Sequence, residues 1–159
     1  NDLFIDSDVM QTFIRRSLEI KKKYIEIDEF DRGPRNIFNY GHSLGHAIEA
    51  ATNFAIPHGI AVTIGVDMAN WLSPQIADGD VRHYDRMHGV LSNNYRGFEN
   101  IDIPIDLFMS ALSKDKKNIG KGEVTLILPT KEAKIEKGRY VNDEMLKSLC
   151  NKYLTEVRT

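Results

Sequence analysis

The sequence predicts a mainly α-helical domain with one small β-hairpin. Apolar residues recur at three- and four-residue steps along much of the 159-residue chain, as they do on one face of a helix. The segment from His58 to about Leu72 is apolar nearly all round and short for a membrane span, so it predicts a helix buried at the centre of a bundle. Val124 to Pro129 is typical of a strand, and Ala133 to Ile135 is its expected hairpin partner.

The other helices follow from the same periodicity. The first begins at Ser7 or Asp8, either of which is a suitable cap, and the turn from Phe30 to Pro34 ends it. Its apolar stripe includes Phe13, Leu18 and Ile25. The predicted helices are about Ser7 to Glu29, Asn36 to about Thr52, His58 to Leu72, Asp80 to about Ser92, Ile105 to Ser113, and about Asn142 to Thr155.

Composition narrows the function classes. The formal net charge of −2 argues against a nucleic-acid binder, which would neutralise phosphates with clustered Lys and Arg. The single cysteine, Cys150, excludes an internal disulfide and fits a cytoplasmic location. No apolar run is long enough for a membrane span, and no secretory pattern is present. Because the chain starts with Asn1 rather than Met, we expect residues 1–159 to be one domain of a longer protein.

The densest group of polar residues lies in the second predicted helix. On a continuous helix, Arg35, Asn39, His42, His46 and Glu49 fall on one stripe. Two histidines one turn apart can bind one divalent cation, although two surface histidines can also have this spacing by chance. Glycines in the same helix, at positions 41 and 45, indicate that a ligand or another helix comes close.

A third histidine opens the buried helix. His58 stands between Pro57 and Gly59, and the apolar residues that follow it predict that its ring faces the interior. Together with His42 and His46 it predicts a metal or anion site. His83 and His88 lie in a polar helix without an evident partner, so we expect both at the surface.

Lysines supply a second signal. Lys21 lies inside the apolar stripe of the first helix, where it either extends its ammonium group to water or contacts an anionic substrate. A run that includes Lys114, Lys116, Lys117 and Lys121 precedes the predicted strand. Such a run is either a solvated turn or a basic lid over the same anion.

These motifs resemble one enzyme family. The segment GPRNIFNYGHSLGHAIEAATNFAIPHGIAVTIGVDMA resembles the signature of 3-dehydroquinate synthases, roughly GLRxxLNxGHTxGHAIE, a short loop and HGEAVAxGM. Upstream, Glu19-Ile20-Lys21 matches an E-x-K of that family, 21 residues before the first signature histidine. Downstream, Asp115-Lys116-Lys117 matches its D-K-K. The resemblance covers nearly the whole chain and implies the multi-helical C-terminal domain of the dehydroquinate synthase-like fold.

The resemblance implies a metal- and NAD-dependent carbon–oxygen lyase. Such enzymes cyclise the seven-carbon sugar phosphate DAHP to 3-dehydroquinate with elimination of phosphate, in the shikimate route. It further implies a zinc or cobalt ion, an amino-terminal NAD-binding α/β domain outside this chain, and a homodimer. The chain alone is then expected to be inactive, and its NAD-binding residues are unknown.

The resemblance also assigns residues. Metal ligands are implied at His42 and His58, with a third ligand, a glutamate, upstream of this chain. His46, which spacing alone pairs with His42, becomes a substrate-side residue with a catalytic role, as does Lys21. Further substrate contacts are implied at Arg35, Asn39, and one of Lys116 and Lys117.

One departure leaves the substrate open. The family's His-Gly-Glu is His58-Gly59-Ile60 here, so the carboxylate that could orient the histidine is missing. A paralogous cyclase acting on another sugar phosphate is therefore the first alternative. A metal-dependent alcohol dehydrogenase would not need the phosphate-binding lysines, and a non-catalytic helical module would not need the three histidines.

Overall fold

A computed structural model describes residues 6–30, 33–114 and 122–158. The chain divides into two compact units, Asn1–Phe38 and Asn39–Thr159. Within the described residues, none of the helices is long and apolar enough to cross a membrane. Lys116 and Lys117 lie outside the described residues.

The first unit contains helix α1, Ser7–Ile27, and most of a 3-10 helix, Pro34–Asn39. The Asp6 carboxylate caps α1 by accepting from the backbone N–H groups of Asp8 and Val9. After α1, the Asp28 carboxylate accepts from the backbone N–H groups of Gly33 and Arg35 at 2.7 and 3.2 Å and so holds the turn. The apolar stripe of α1 is exposed, including Phe13, Leu18 and Ile25.

The second unit contains the remaining helices and the hairpin. Its elements are α2 His42–Ala51, α3 His58–Ile76, α4 Val81–Asn94, α5 Ile105–Lys114, β1 Glu123–Pro129, β2 Ile135–Val141, α6 Glu144–Lys152 and a π-helical turn Tyr153–Val157. Helix α3 is central, as its composition predicts, with Ala61, Ile64, Met68 and Leu72 fully buried. It packs against α2, α4, α6 and β1. The predicted fold class, mainly helical with one hairpin, is confirmed.

Glycines let α2 and α3 approach closely. A Cβ atom on Gly65 would lie 2.2 Å from the carbonyl oxygen of Gly41, and one on Gly45 would lie 2.9 Å from Cα of Val62. Both distances are shorter than any real Cβ contact, so only glycine fits. The glycines of the signature predicted that a ligand or another helix comes close, and the close approach of a helix is confirmed.

Some predicted boundaries are wrong. The helix predicted from Asn36 to Thr52 is interrupted, because Gly41 adopts a left-handed φ of 74° and α2 starts only at His42. Arg35 and Asn39 therefore do not continue the helical stripe of His42, His46 and Glu49. The predicted second strand, Ala133 to Ile135, is also wrong, because Ala133 has a φ of 61° in the turn and β2 begins at Ile135.

Candidate metal centre

Three histidines meet where α2 and α3 join. His42 and His46 lie one turn apart on α2, and His58 is the first residue of α3. Their ring centroids are 5.8 Å apart for His42 and His46, 5.7 Å for His42 and His58, and 5.6 Å for His46 and His58. Two imidazoles on one tetrahedral zinc have centroids roughly 5 Å apart, since each Zn–N bond is about 2.0–2.1 Å. The ring spacings are slightly wider than those of imidazoles that share one zinc ion, which makes this corner of the second unit a candidate metal centre.

Hydrogen bonds distinguish the three rings. Nδ1 of His42 lies 3.2 Å from the carbonyl oxygen of Tyr40, and Nδ1 of His58 lies 3.0 Å from Oε2 of Glu49. Carbonyl and carboxylate oxygens accept, so both Nδ1 atoms donate, and in the neutral imidazole Nε2 then carries the lone pair. Histidines that bind metals have this arrangement. His46 has no comparable bond to any residue that the structure describes.

Glu49 is the acidic member of the cluster. It lies on the last turn of α2 and is 8% exposed. One ligand atom from each of His46, Glu49 and His58 lies within 4.8 Å of the others. Among the described residues, it is this set and not the three histidines whose ligand atoms come that close together. The donor set, imidazole nitrogens with a carboxylate, suits zinc or cobalt.

The His58 side chain is 57% exposed. The prediction that its ring faces the interior is therefore wrong. Because His58 is at the first position of α3, its side chain projects from the helix start while the apolar residues after it enter the core. An exposed ring is open to a ligand from outside this chain.

A cleft of about 520 Å³ lies beside His46, between α2 and α5. Its lining includes Ser43 and His46 from α2 and Leu107, Ser110 and Lys114 from α5. The imidazole of His46 and the ammonium group of Lys114 are both exposed. A small anionic molecule could therefore meet a positive charge and a proton-transfer group in the same cleft.

Three other predicted site residues lie in the segments before α2. Lys21 is exposed on α1, and Arg35 is half-buried in the 3-10 helix, where its guanidinium donates to the carbonyl oxygen of Glu29 at 2.8 Å. Both belong to the first unit. Asn39 is half-buried at the start of the second unit.

Sequence reasoning missed a buried carboxylate in α3. Asp67 is 0% exposed, and its Oδ2 accepts from Tyr153 at 2.7 Å, from Nδ1 of His88 at 2.9 Å and from Tyr95 at 3.0 Å. The expectation that His88 is an unpartnered surface residue is therefore wrong. The available signal was one Asp in an otherwise apolar helix, because a buried charge requires partners.

Burial raises the pKa of both tyrosines. For Tyr153 and for Tyr95 the desolvation of the ring is the larger cause, and the nearby charge of Asp67 adds to it. Both hydroxyls are therefore neutral donors at neutral pH. This group of four residues stabilises the second unit and takes no part in the histidine cluster.

Fold and site together define a helical domain with a candidate divalent-metal centre at a helix corner. The chain belongs to the 3-dehydroquinate synthase C-terminal family, whose sequence profile matches residues 1–118. The family predicted from the signature residues is thus confirmed.

Several curated 3-dehydroquinate synthases are similar to the chain. The enzyme of Thermodesulfovibrio yellowstonii is 32% identical over 151 residues, which cover 92% of this chain and 41% of that protein. The enzyme of Clostridium tetani is 35% identical over 152 residues, covering 91% of this chain and 38% of that protein. The chain thus spans about two fifths of the length of these relatives.

Solved structures share the fold. A 2-deoxy-scyllo-inosose synthase in complex with carbaglucose-6-phosphate, NAD+ and Co2+ superimposes with a TM-score of 0.71 at 22% identity, covering 94% of this chain and 42% of that chain. Another structure of a 2-deoxy-scyllo-inosose synthase gives a TM-score of 0.75 at 20% identity, covering 92% of this chain and 40% of that chain.

Proposed function

We propose that this chain is the metal- and substrate-binding part of an NAD-dependent cyclase that converts the seven-carbon sugar phosphate DAHP to 3-dehydroquinate with release of phosphate. The rest of the protein supplies an amino-terminal NAD-binding domain, and the whole acts in the cytoplasm as a homodimer. The observation that carries the proposal is the group of three histidines, His42, His46 and His58, where α2 and α3 meet. It lies within a chain of the dehydroquinate synthase family.

His42 and His58 would hold the divalent metal, zinc or cobalt, through Nε2. The proposal is supported by the bonds that engage Nδ1 of each ring with Tyr40 and Glu49. A third ligand would come from the part of the protein that precedes Asn1. When bound, the metal would supply Lewis-acid polarisation of a substrate hydroxyl, which eases loss of the hydroxyl proton and of the hydride on its carbon.

The remaining residues would handle the substrate. His46 is exposed beside the cleft. Its imidazole is suited to accept a proton from the substrate and to return it. Lys21 is proposed to share this catalytic role and, with Arg35, to bind the anionic groups of the substrate. Asn39 and one of Lys116 and Lys117 would complete the substrate contacts.

The chemistry has no net redox change. NAD, when bound, would supply a reversible acceptor for the hydride on the carbon that bears the substrate hydroxyl, so that the transient oxidation serves only to acidify the neighbouring C–H. A proton must leave the carbon next to the transient ketone, and phosphate leaves with its bonding electron pair. The ring then opens and closes to the carbocycle.

The test uses the full-length protein with NAD, zinc and DAHP, and follows phosphate and the carbocyclic product together. We expect both to appear in equal amounts. We expect the His58→Ala variant to lose both by more than the roughly 10- to 100-fold typical of an outer-shell change. His83→Ala, a histidine of α4 whose Nε2 lies 3.3 Å from the carbonyl oxygen of Lys131, is the matched control and should retain activity.

One residue favours a second candidate, a paralogous cyclase that acts on another sugar phosphate. Ile60 stands where the family signature has glutamate. If the full-length protein binds zinc and NAD yet releases no phosphate from DAHP, the first proposal fails. Phosphate release from a six-carbon sugar phosphate under the same conditions would then support the second candidate.

A further inference from the structure

We propose that Glu49 is a positioning residue of the metal centre, which holds His58 in the tautomer and orientation that present Nε2 to the metal. The inference rests on the proposed function, because it takes His58 as a ligand. It concerns a residue to which neither the spacing of the signature nor the family resemblance gave a role.

The exposed fractions of the two side chains indicate that Glu49 positions His58, and not the reverse. The side chain of Glu49 is 10% exposed, whereas that of His58 is 57% exposed. Glu49 lies among the buried residues of α2, which include Ile48 and Ala51. An exposed ring at a helix start has several rotamers available, so the bond of 3.0 Å to a buried carboxylate selects one of them.

The conformation of the backbone between Glu49 and His58 brings these two residues together. Asn53 and Phe54 have φ values of 50° and 61°, in the left-handed region that a bulky residue such as Phe rarely adopts. The backbone N–H of Phe54 donates to the carbonyl oxygen of Glu49 at 2.8 Å. This tight corner returns the chain to the end of α2, so that the first residue of α3 lies beside Glu49.

The family signature has two glutamates near this histidine, and only the one at Glu49 is present here. The carboxylate that the family places two residues after the histidine is replaced by Ile60, which packs against the hydrophobic core. Glu49 reaches the same histidine from the preceding helix. A negative charge on the Nδ1 side makes an imidazole a stronger donor to a metal. Removing a partner of this kind lowers metal affinity by about 10- to 100-fold.

Direct coordination by Glu49 is the competing role, since Glu49, His46 and His58 have ligand atoms within 4.8 Å of one another. Two variants separate the roles. Glu49→Gln keeps an oxygen that can accept from Nδ1 but removes the charge, whereas Glu49→Ala removes both. Glu136→Gln, an exposed residue of β2, is the control for the change in net charge.

The first measurement is zinc affinity of the metal-free full-length protein, by competition with a chromophoric chelator. We expect Glu49→Ala to bind about 10- to 100-fold more weakly and Glu49→Gln to lose less than about 10-fold. Glu136→Gln should bind as the parent does. Similar losses beyond about 100-fold for both Glu49 variants would indicate direct coordination and overturn the proposal, as would no loss in either.

The second measurement reads the tautomer without metal or activity. Nitrogen NMR of the histidine-labelled, metal-free protein should show the Nδ1–H form of His58 in the parent and in Glu49→Gln. In Glu49→Ala we expect a mixture of the two tautomers. An unchanged His58 signal in Glu49→Ala would contradict positioning, and it would do so even if the variant were too unstable for affinity measurements.

The two proposals can fail separately. If the parent protein binds no zinc, the proposed metal centre fails, whatever the NMR spectra show. If the parent binds zinc and releases phosphate while Glu49→Ala does both equally well, the proposed function stands and the role of Glu49 is refuted.

Discussion

The fully buried carboxylate of Asp67 organises the interior of the second unit. Asp67 accepts three hydrogen bonds on Oδ2, whereas Oδ1 has no partner among the described residues. Since hydrogen bonds to charged groups contribute about 1.5–3 kcal/mol each, the donors are individually important. They come from α4, the segment after it and the π-helical turn, so one residue of α3 connects three parts of the chain.

We expect stability to fall as the pH rises above 10. Tyr153 and Tyr95 have pKa values raised above the ordinary 10.0 by burial and by Asp67, so the neutral hydroxyls favour the folded state. This contribution is complete below pH 10 and is lost as the pH rises from there toward the folded-state pKa values. Tyr153→Phe should cost about 1.5–3 kcal/mol at pH 7. Above pH 10, the unfolding free energy of this variant should fall less steeply with pH than that of the parent, by up to roughly 1.4 kcal/mol per pH unit.

Denaturant unfolding between pH 7 and pH 11 measures both effects. Tyr24→Phe is the control, because Tyr24 is a half-buried tyrosine of α1, where its ring meets Phe38 at a centroid distance of 5.1 Å. An alkaline slope unchanged in Tyr153→Phe would show that this hydroxyl does not contribute to the pH dependence.

At the residue scale, the sequence predicted which residues form the candidate site better than it predicted which residues they contact. His42 and His46 were singled out by their spacing and His58 by its place at the start of a buried helix, and the structure brings the three together. The bond between Glu49 and His58 could not be predicted, because it depends on the left-handed backbone of Asn53 and Phe54, and Phe has no sequence preference for it.

At the scale of the elements, the helix pair α2 and α3 carries the candidate site. The pair can approach closely because glycines replace side chains on both helices. The positions of His42 and His46 relative to His58 therefore depend on three residues without side chains, Gly41, Gly45 and Gly65. A small increase in the distance between the helices would separate the rings.

We expect Gly65→Ala to destabilise the protein by more than about 2 kcal/mol, because its Cβ would meet backbone atoms that cannot move aside. Zinc binding should weaken with it. Gly89→Ala is the matched control in α4, where no described atom lies within 4 Å of the new Cβ. It should be neutral or stabilise by up to about 1 kcal/mol. Equal unfolding free energies for the two variants would refute the close helix contact.

The order of helices and the hairpin was predictable from periodicity, whereas some boundaries were not. Helix α3 continues to Ile76, past its predicted end at Leu72, with Pro74 inside its last turn. The hydroxyl of Ser73 donates to the carbonyl oxygen of Pro129, a contact 56 residues away in the chain. Strand β2 was obscured because it is half exposed and carries Glu136, Lys137 and Arg139.

At the scale of the whole molecule, the chain spans about two fifths of its relatives' length. The junction of α2 and α3 offers two imidazoles whose Nδ1 atoms are hydrogen-bonded, and catalytic zinc sites have three protein ligands. The proposed function therefore assigns the completion of the metal site and the binding of NAD to the rest of the protein.

We expect residues 1–159 alone to bind zinc more than about 100-fold more weakly than the full-length protein, because the loss of a ligand exceeds the loss of an outer-shell partner. Chelator competition on both proteins measures the ratio. His42→Ala in the isolated chain should remove most of the remaining affinity. Equal affinity of the isolated and full-length proteins would show that the ligands all lie within this chain, with His46 and Glu49 as the first candidates.

The single cysteine provides a way to follow the opening of the second unit. Cys150 lies on α6, is 0% exposed, and has a pKa raised to about 12 by burial. A thiol reacts as the thiolate, so alkylating reagents can modify it only when α6 leaves the core and the pKa returns toward its ordinary value. The rate of alkylation under native conditions is therefore a direct measure of that opening equilibrium, without an engineered probe.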